Sequence, residues 1–251
     1  MNKFFVLPQQ ISFPYLVIKG SDVRHISKVL RLKPGEHILV ADGTGKEYLA
    51  ELHEIGKETV KAFIKESRQG KNEPPLDVYL IQGLPKGEKF DLIVQKGTEI
   101  GIKKIIPVNM ERTIVRITKD KAEKRRERWQ RIAGEAAKQC RRSIIPQVDS
   151  ATELGHALNS IPSGTVIIVP WESECTRGIK GLLNDLNNIS SVAILIGPEG
   201  GIAPEEVALA EKYGAQTVSL GPRILRTETA GLVAAVLVLY HFGDLGGCLV
   251  E

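Results

Sequence analysis

Beyond Pro75 the chain alternates between two hydrophobic periods. Short continuous apolar runs occur at Val78-Tyr79-Leu80-Ile81, Ile105-Ile106-Pro107-Val108, Val166-Ile167-Ile168-Val169 and Val192-Ala193-Ile194-Leu195-Ile196. Such runs, rich in β-branched residues and bounded by Gly, Pro or charge, suit parallel strands buried on both faces. Between them, residues 90–100, 118–140 and 179–186 repeat their apolar positions at helical spacing. A further helix opens at Pro204-Glu205-Glu206, where a first-turn proline and two acids favour a helix N-terminus. Residues 230–240 are apolar almost throughout and read as a buried helix. Strand and helix in alternation predict an α/β domain with a mostly parallel, helix-covered sheet.

The first seventy residues carry a different pattern. Ser21-Asp22 opens a short helix with Ile26, Val29 and Leu30 at helical spacing, while Arg24, Lys28 and Arg31 form a basic stripe on another face. Pro34-Gly35 ends it. Ile38-Leu39-Val40, the turn Asp42-Gly43-Thr44-Gly45 and Tyr48-Leu49-Ala50 predict a hairpin, and residues 60–65 alternate as a further strand. This is a small β-rich module. Residues 67–75 are a linker by composition, which divides the chain into domains at 1–72 and 73–251.

Two glycine turns mark a candidate site. Gly197-Pro198-Glu199-Gly200-Gly201 follows one apolar run, and Gly221-Pro222 follows another that ends at Leu220. Turns at the C-terminal ends of neighbouring parallel strands are where open α/β folds bind ligands. The spacing lacks both G-x-G-x-x-G and the Lys-Ser/Thr ending of a P-loop. Glu199, Glu205 and Glu206 also disfavour a pyrophosphate there, and an uncharged or cationic ligand such as S-adenosylmethionine fits better. Gly43-Thr44-Gly45-Lys46 is followed by Glu47 and is a turn, not a nucleotide loop.

Charge changes the picture more than composition does. The net charge of +4 is unevenly spread: residues 119–142 hold ten Lys and Arg against four Asp and Glu, and residues 143–251 hold five against twelve. The helix in the basic stretch places Trp129, Ile132, Ala133, Ala136, Ala137 and Cys140 on one stripe. Lys121, Lys124, Arg128, Arg131, Lys138 and Arg142 fall opposite. A basic surface separate from an acidic ligand-binding third points to a nucleic-acid partner. No apolar stretch reaches the roughly 20 residues of a membrane span, and Pro8 interrupts the apolar start, so no export signal is expected. Cys140, Cys175 and Cys248 form no CxxC pair, and the five histidines show no close ligand spacing. A reducing, cytoplasmic location without a metal is the expectation.

The wording of the two turns is also familiar. Leu195-Ile196-Gly197-Pro198-Glu199-Gly200-Gly201 and Leu220-Gly221-Pro222-Arg223-Ile224-Leu225-Arg226-Thr227-Glu228-Thr229-Ala230 resemble the cofactor motifs of the SPOUT methyltransferases, above all the ribosomal RNA small subunit methyltransferase E family. His25-Ile26-Ser27-Lys28-Val29-Leu30-Arg31, Lys86-Gly87-Glu88-Lys89 and Gln95-Lys96-Gly97-Thr98-Glu99-Ile100-Gly101 extend the resemblance over nearly the whole chain. It implies a PUA-like RNA-binding β-barrel followed by a SPOUT domain with a C-terminal trefoil knot. It implies a cytoplasmic homodimer that N3-methylates a uridine of 16S rRNA in the small ribosomal subunit with S-adenosylmethionine. Cofactor contacts are then expected at Leu195, Ile196, Gly197, Glu199, Gly200, Gly201, Leu220, Gly221, Ile224, Leu225, Arg226 and Thr229. Arg226 and Glu199 are the catalytic candidates. Lys3, Arg24, Lys28, Arg31, Lys86, Lys89, Arg128, Arg131 and Arg142 are the RNA-binding candidates. Lys3 stands where the family pattern has arginine, and Lys138 where it often has an acid. Two other readings stay open: an RNA methyltransferase of this fold acting on tRNA or ribose, and a non-catalytic RNA-binding assembly factor.

Overall fold

The structure, a computed structural model, describes residues 1–114 and 119–247, so the expected helix start at Thr118 and Cys248 lie outside the described residues. The chain divides into two compact units, residues 1–73 with 137–145, and residues 74–136 with those from 146 onward.

The first unit is built from β1 (Lys3–Phe5), β2 (Ile11–Ser12), β3 (Tyr15–Lys19), α1 (Ser21–Arg24), β4 (His37–Ala41), β5 (Lys46–Ile55) and β6 (Thr59–Gln69). The strand path is β1-β4-β5-β6-β3-β2, antiparallel except for β1 beside β4. Alternation sets its faces: Val60, Ala62 and Ile64 of β6 join Leu16, Ile18, Ile38, Val40 and Leu52 in one core, while Lys61 and Lys65 point outward. The expected helix departs from its pattern. After α1 the backbone widens into a π turn over His25–Val29, with Leu30 N–H donating to His25 O at 2.9 Å. The extra residue per turn shifts the phase, so Val23, Ile26 and Leu30 meet the core and Val29 is 66% exposed. Arg31 lies beyond the turn at φ 52° and does not continue a helical stripe.

The composition-based linker is likewise shorter than expected. Ser67–Gln69 still pairs with β5, through Glu47↔Arg68 and Lys46↔Gln69. Gly70 then passes so close to Ser143 that a Cβ would lie 2.1 Å from its hydroxyl oxygen. Glu73 is anchored by the Ser143 and Ile144 N–H groups at 2.7 and 2.9 Å.

The second unit follows the predicted alternation. It comprises β7 (Asp77–Gly83), α2 (Lys89–Ile100), β8 (Lys104–Asn109), α3 (Lys119–Gln139, whose last residues belong to the first unit), β9 (Gln147–Val148), β10 (Thr152–Glu153), α4 (Leu154–Asn159), β11 (Val166–Pro170), α5 (Ile179–Asp185), β12 (Ser191–Ile196), α6 (Pro204–Lys212), β13 (Gln216–Val218) and α7 (Thr227–His241). Every pairing is parallel, in the order β10-β8-β7-β12-β11-β13 with β9 on β8. All six residues of β12 are buried, which explains its unbroken apolar run. One face packs Tyr79, Ile81, Ala193, Leu195 and Val169 against α4 and α6. On the other, α7 lies close because Gly231 has no side chain: a Cβ there would stand 3.1 Å from Leu80 and 3.3 Å from Ile196.

Candidate active site

In-register pairing brings the C-terminal ends of four strands to one edge. Gln82 of β7 lies beside Ile196 of β12, and Pro170 of β11 beside Val218 of β13. The turns that leave these ends enclose a cleft of 570 Å³, within the range of small-ligand sites. Its walls are Gly197–Ile202 after β12, Ser219–Thr227 after β13, and Pro170-Trp171-Glu172 after β11, with Ala230 and Lys89.

The first turn is tight because glycine permits it. A Cβ on Gly197 would lie 2.7 Å from Ile202, and Gly201 adopts φ +75°. Opposite Gly200, Arg112 donates to its carbonyl at 3.0 Å. α6 starts at Pro204, where Glu206 accepts the Ala203 N–H at 3.1 Å and the Glu111 N–H at 2.8 Å. That acid caps the helix, as its first-turn position requires.

Most expected cofactor residues come together here: Ile196, Gly197, Glu199, Gly200, Gly201, Leu220, Gly221, Ile224, Leu225 and Arg226 all line the cleft. Two do not. Leu195 alternates to the opposite face of β12 and is fully buried in the core. Thr229 is exposed on α7 and away from the lining, whereas Thr227 and Ala230 contribute to it. Trp171, Glu172, Ile202 and Ser219 were missed. The signal for Trp171 and Glu172 is weak, since the end of β11 carries no glycine turn.

The charged groups sort differently from the sequence expectation. Glu199 accepts from the Lys86 N–H at 3.1 Å and from Lys89 Nζ at 2.9 Å. Burial alone would raise its pKa, but the Lys89 ammonium and the backbone N–H groups of Glu199 and Lys86 outweigh it and hold the carboxyl below its ordinary range. A lowered pKa makes Glu199 a weaker proton acceptor than an ordinary carboxylate. Lys89 also reaches Glu228 at 3.5 Å, and Glu199 first among its neighbours raises its pKa. This lysine therefore ties acids from both turns and is not a free phosphate contact. Arg226 is the opposite case. It precedes α7 with its side chain 80% exposed, and the Glu228 carboxylate stands 4.0 Å from its guanidinium.

Two further RNA-binding candidates are corrected outright. The Lys3 side chain is only 4% exposed, paired with Glu47 at 2.6 Å and donating to Arg141 O at 2.9 Å. Arg142 is buried, with its guanidinium on Glu73 at 2.8 Å. Both are buried charges with partners, and both hold the first unit together. Lys138 pairs with Asp22 at 3.1 Å. On α3, Arg128 engages Asp91 through Nε at 3.0 Å, while Lys121, Lys124 and Arg131 face solvent. Arg24, Lys28, Arg31 and Lys86 are exposed as expected.

Comparison with known proteins agrees with this geometry. Residues 72–239 match the RNA methyltransferase domain family and residues 18–65 the RNA methyltransferase PUA domain. The chain is 36% identical over 254 residues to ribosomal RNA small subunit methyltransferase E of Bacillus subtilis, covering 98% of this chain and 99% of that one. It is similar to the crystal structure of the Neisseria gonorrhoeae ribosomal RNA small subunit methyltransferase E bound to S-adenosyl methionine, at 35% identity and a TM-score of 0.83 over 98% of this chain and 99% of that one. A Legionella pneumophila protein solved in complex with the bound cofactor SAM is 29% identical, with a TM-score of 0.80 over 95% and 96% of the two chains.

Proposed function

The chain belongs to the ribosomal RNA small subunit methyltransferase E family, and from that premise we propose that it methylates N3 of a uridine in 16S rRNA, using S-adenosylmethionine. The observation that carries the reading is the cleft at the strand ends, with the exposed Arg226 side chain in its lining. Its lining fits that cofactor. Ile196, Ile202, Leu220 and Leu225 offer apolar walls for an adenosine, and the turns offer backbone groups to its base edge. Lys89 is already paired, and the carboxylates of Glu172 and Glu199 favour a cation over a pyrophosphate. S-adenosylmethionine supplies an electrophilic methyl and a good leaving group.

The protein's own work is then alignment and charge stabilisation. Uracil N3 lies on the pairing edge, so the target base enters unpaired or flipped. The Arg226 guanidinium stabilises the negative charge that develops as N3 gives up its proton. That proton leaves toward solvent at the open side of the cleft, because the Glu199 carboxylate is already engaged by Lys89 Nζ and the Lys86 N–H. RNA is held by the exposed cations Arg24, Lys28, Arg31 and Lys86, and by Lys121, Lys124 and Arg131 of α3.

The same reading assigns the domains as an RNA-binding PUA-like unit ahead of a methyltransferase unit, and a trefoil knot to the C-terminal segment. Supporting the knot, the chain leaves β13 at the sheet edge and returns to lay α7 over the central strands β7 and β12. A homodimer is supported by α7, where Val236 and Tyr240 are exposed apolar residues on a helix whose other face is buried. A cytoplasmic location accords with an rRNA substrate, and among the described residues no helix is long and apolar enough to cross a membrane.

The test is methyl transfer from labelled S-adenosylmethionine to undermethylated small subunits, free 16S rRNA and tRNA, followed by nucleoside analysis. Label in 3-methyluridine from small-subunit RNA is expected. Label in another nucleoside overturns the position, and label only in tRNA overturns the substrate.

A further inference from the structure

One buried polar chain joins the end of β7 to two of the segments that wall the cleft, the turn after β12 and the start of α7. Gln82, the last side chain of β7, is wholly buried; its Nε2 donates to Thr227 Oγ1 at 2.8 Å and to Gly83 O at 3.0 Å. Thr227, the first residue of α7, donates its hydroxyl to Gly197 O at 2.6 Å. The surroundings leave no slack. A Cβ on Gly83 would lie 2.6 Å from Pro198 N, and one on Gly231 would lie 3.3 Å from Gln82 Oε1.

The direction of this chain is fixed by what each group can do. Gly83 O and Gly197 O are acceptors only. If the Gln82 amide were reversed, Oε1 would face Gly83 O, acceptor against acceptor. It would also draw the Thr227 hydrogen away from Gly197. With Nε2 in place, Thr227 oxygen must accept from the amide, so its single hydrogen is committed to Gly197. Among the described residues, Gln82 Oε1 is left without a hydrogen-bond partner. A buried, half-satisfied amide in an otherwise apolar strand is a cost that core packing does not explain.

We propose that Gln82 and Thr227 are positioning residues for methyl transfer: Gln82 orients the Thr227 hydroxyl, and Thr227 fixes the start of α7, and with it Arg226, against the Gly197 turn. Arg226 needs such support. The Thr229 and Ala230 N–H groups both donate to its carbonyl at 2.8 Å, so its backbone is set by α7 while its guanidinium is nearly untethered. The spacing between cofactor turn and guanidinium therefore depends on the bond one residue away. This inference rests on the assignment of the cleft to S-adenosylmethionine and of Arg226 to the target base.

Four variants test it: Thr227→Ser, Thr227→Val, Gln82→Met and the last two combined. Each is assayed for S-adenosylmethionine Kd by calorimetry, for kcat and KM on undermethylated small subunits, and for thermal unfolding. Thr227→Val, which keeps the shape and loses both hydrogen bonds, is expected to lower kcat about 10- to 100-fold and to weaken cofactor binding severalfold. KM for the small subunit should hold. Thr227→Ser should restore kcat to within about threefold, and the double variant should be no worse than Thr227→Val, because residues acting in one chain are not additive. The proposal is overturned if Thr227→Val behaves as the wild type, if Thr227→Ser is as impaired as valine, or if the two single losses multiply. Should Thr227→Val not fold, Gln82→Met carries the test, with a kcat loss at unchanged small-subunit KM expected and wild-type kcat refuting it. A wild type that binds cofactor but labels no rRNA overturns the substrate reading alone, and the Kd series then decides on the network. A wild type without cofactor affinity overturns both.

Discussion

Arg226→Ala separates stability from catalysis, and the structure gives a magnitude for each. The side chain is 80% exposed and its nearest carboxylate oxygen, on Glu228, is 4.0 Å away. An exposed pair at that distance contributes about 0–1 kcal/mol, so unfolding should shift by no more than about 1 kcal/mol. The side chain is mostly in solvent and the apolar lining is untouched, so cofactor Kd should change less than about threefold. Catalysis should suffer far more. Removing one donor aimed at developing negative charge typically costs about 2.7–4 kcal/mol, or about 10²- to 10³-fold in kcat. Single-turnover transfer to undermethylated small subunits gives the rate, and calorimetry gives Kd on the same preparation. Arg226→Lys keeps the charge but loses the planar fork, and should recover only part of the rate. A kcat within threefold of wild type would refute the assignment. So would a Kd that rises by the factor kcat falls, since Arg226 would then be a cofactor ligand only.

Further predictions follow from the charges. Lys3→Met strips the ammonium from buried Glu47, which among the described residues keeps Arg68 at 3.3 Å; a loss of about 2–4 kcal/mol in denaturant unfolding is expected, with the salt slope of RNA binding unchanged, and the reverse pair of results would make Lys3 an RNA contact. Arg131→Ala should lower the slope of log K against log salt by about 0.7–0.9, one phosphate's worth. Arg128→Ala should lower it by less than half of that, because Asp91 already holds its guanidinium; equal slopes would contradict the pairing. Glu199→Gln should leave the shape of the pH–rate profile intact, and disappearance of an acid limb would restore Glu199 as a base. Glu174 is held down to about 2 by the Thr176 hydroxyl and N–H, the Thr217 hydroxyl and the Arg177 N–H. Its pKa is depressed on folding, so its stabilisation is complete above the ordinary value of 4.5 and is lost as pH falls toward about 2. Unfolding between pH 2 and 5 should flatten in Glu174→Gln, and an unchanged pH dependence would remove Glu174 from the account.

What could be read from the chain and what could not divides along one line: whether the cause lies within a few residues or across the fold. The parallel strands were legible because burial on both faces leaves an unbroken apolar run, as in β12. The two glycine turns that wall the cleft were legible because glycine chemistry is local. The cleft's third wall was not, since Trp171 and Glu172 join it only because β11 lies between β12 and β13, and strand order is not written in any one strand. Thr229, and not Thr227, was expected at the cofactor, but two helical residues turn through about 200°. One faces the sheet and the other faces water. Val29 was placed inward by a 3.6-residue period that the π turn does not keep. The cations show the division most clearly. Lys3 meets its acid 44 positions away and Arg142 meets its own 69 positions away, so neither partner is visible from the local charge pattern. Sequence counts how many phosphates a basic stretch could neutralise. Which cations remain free to do so depends on where the fold has put the carboxylates, and for that reason Arg131, and not Arg142, carries the salt-dependence prediction.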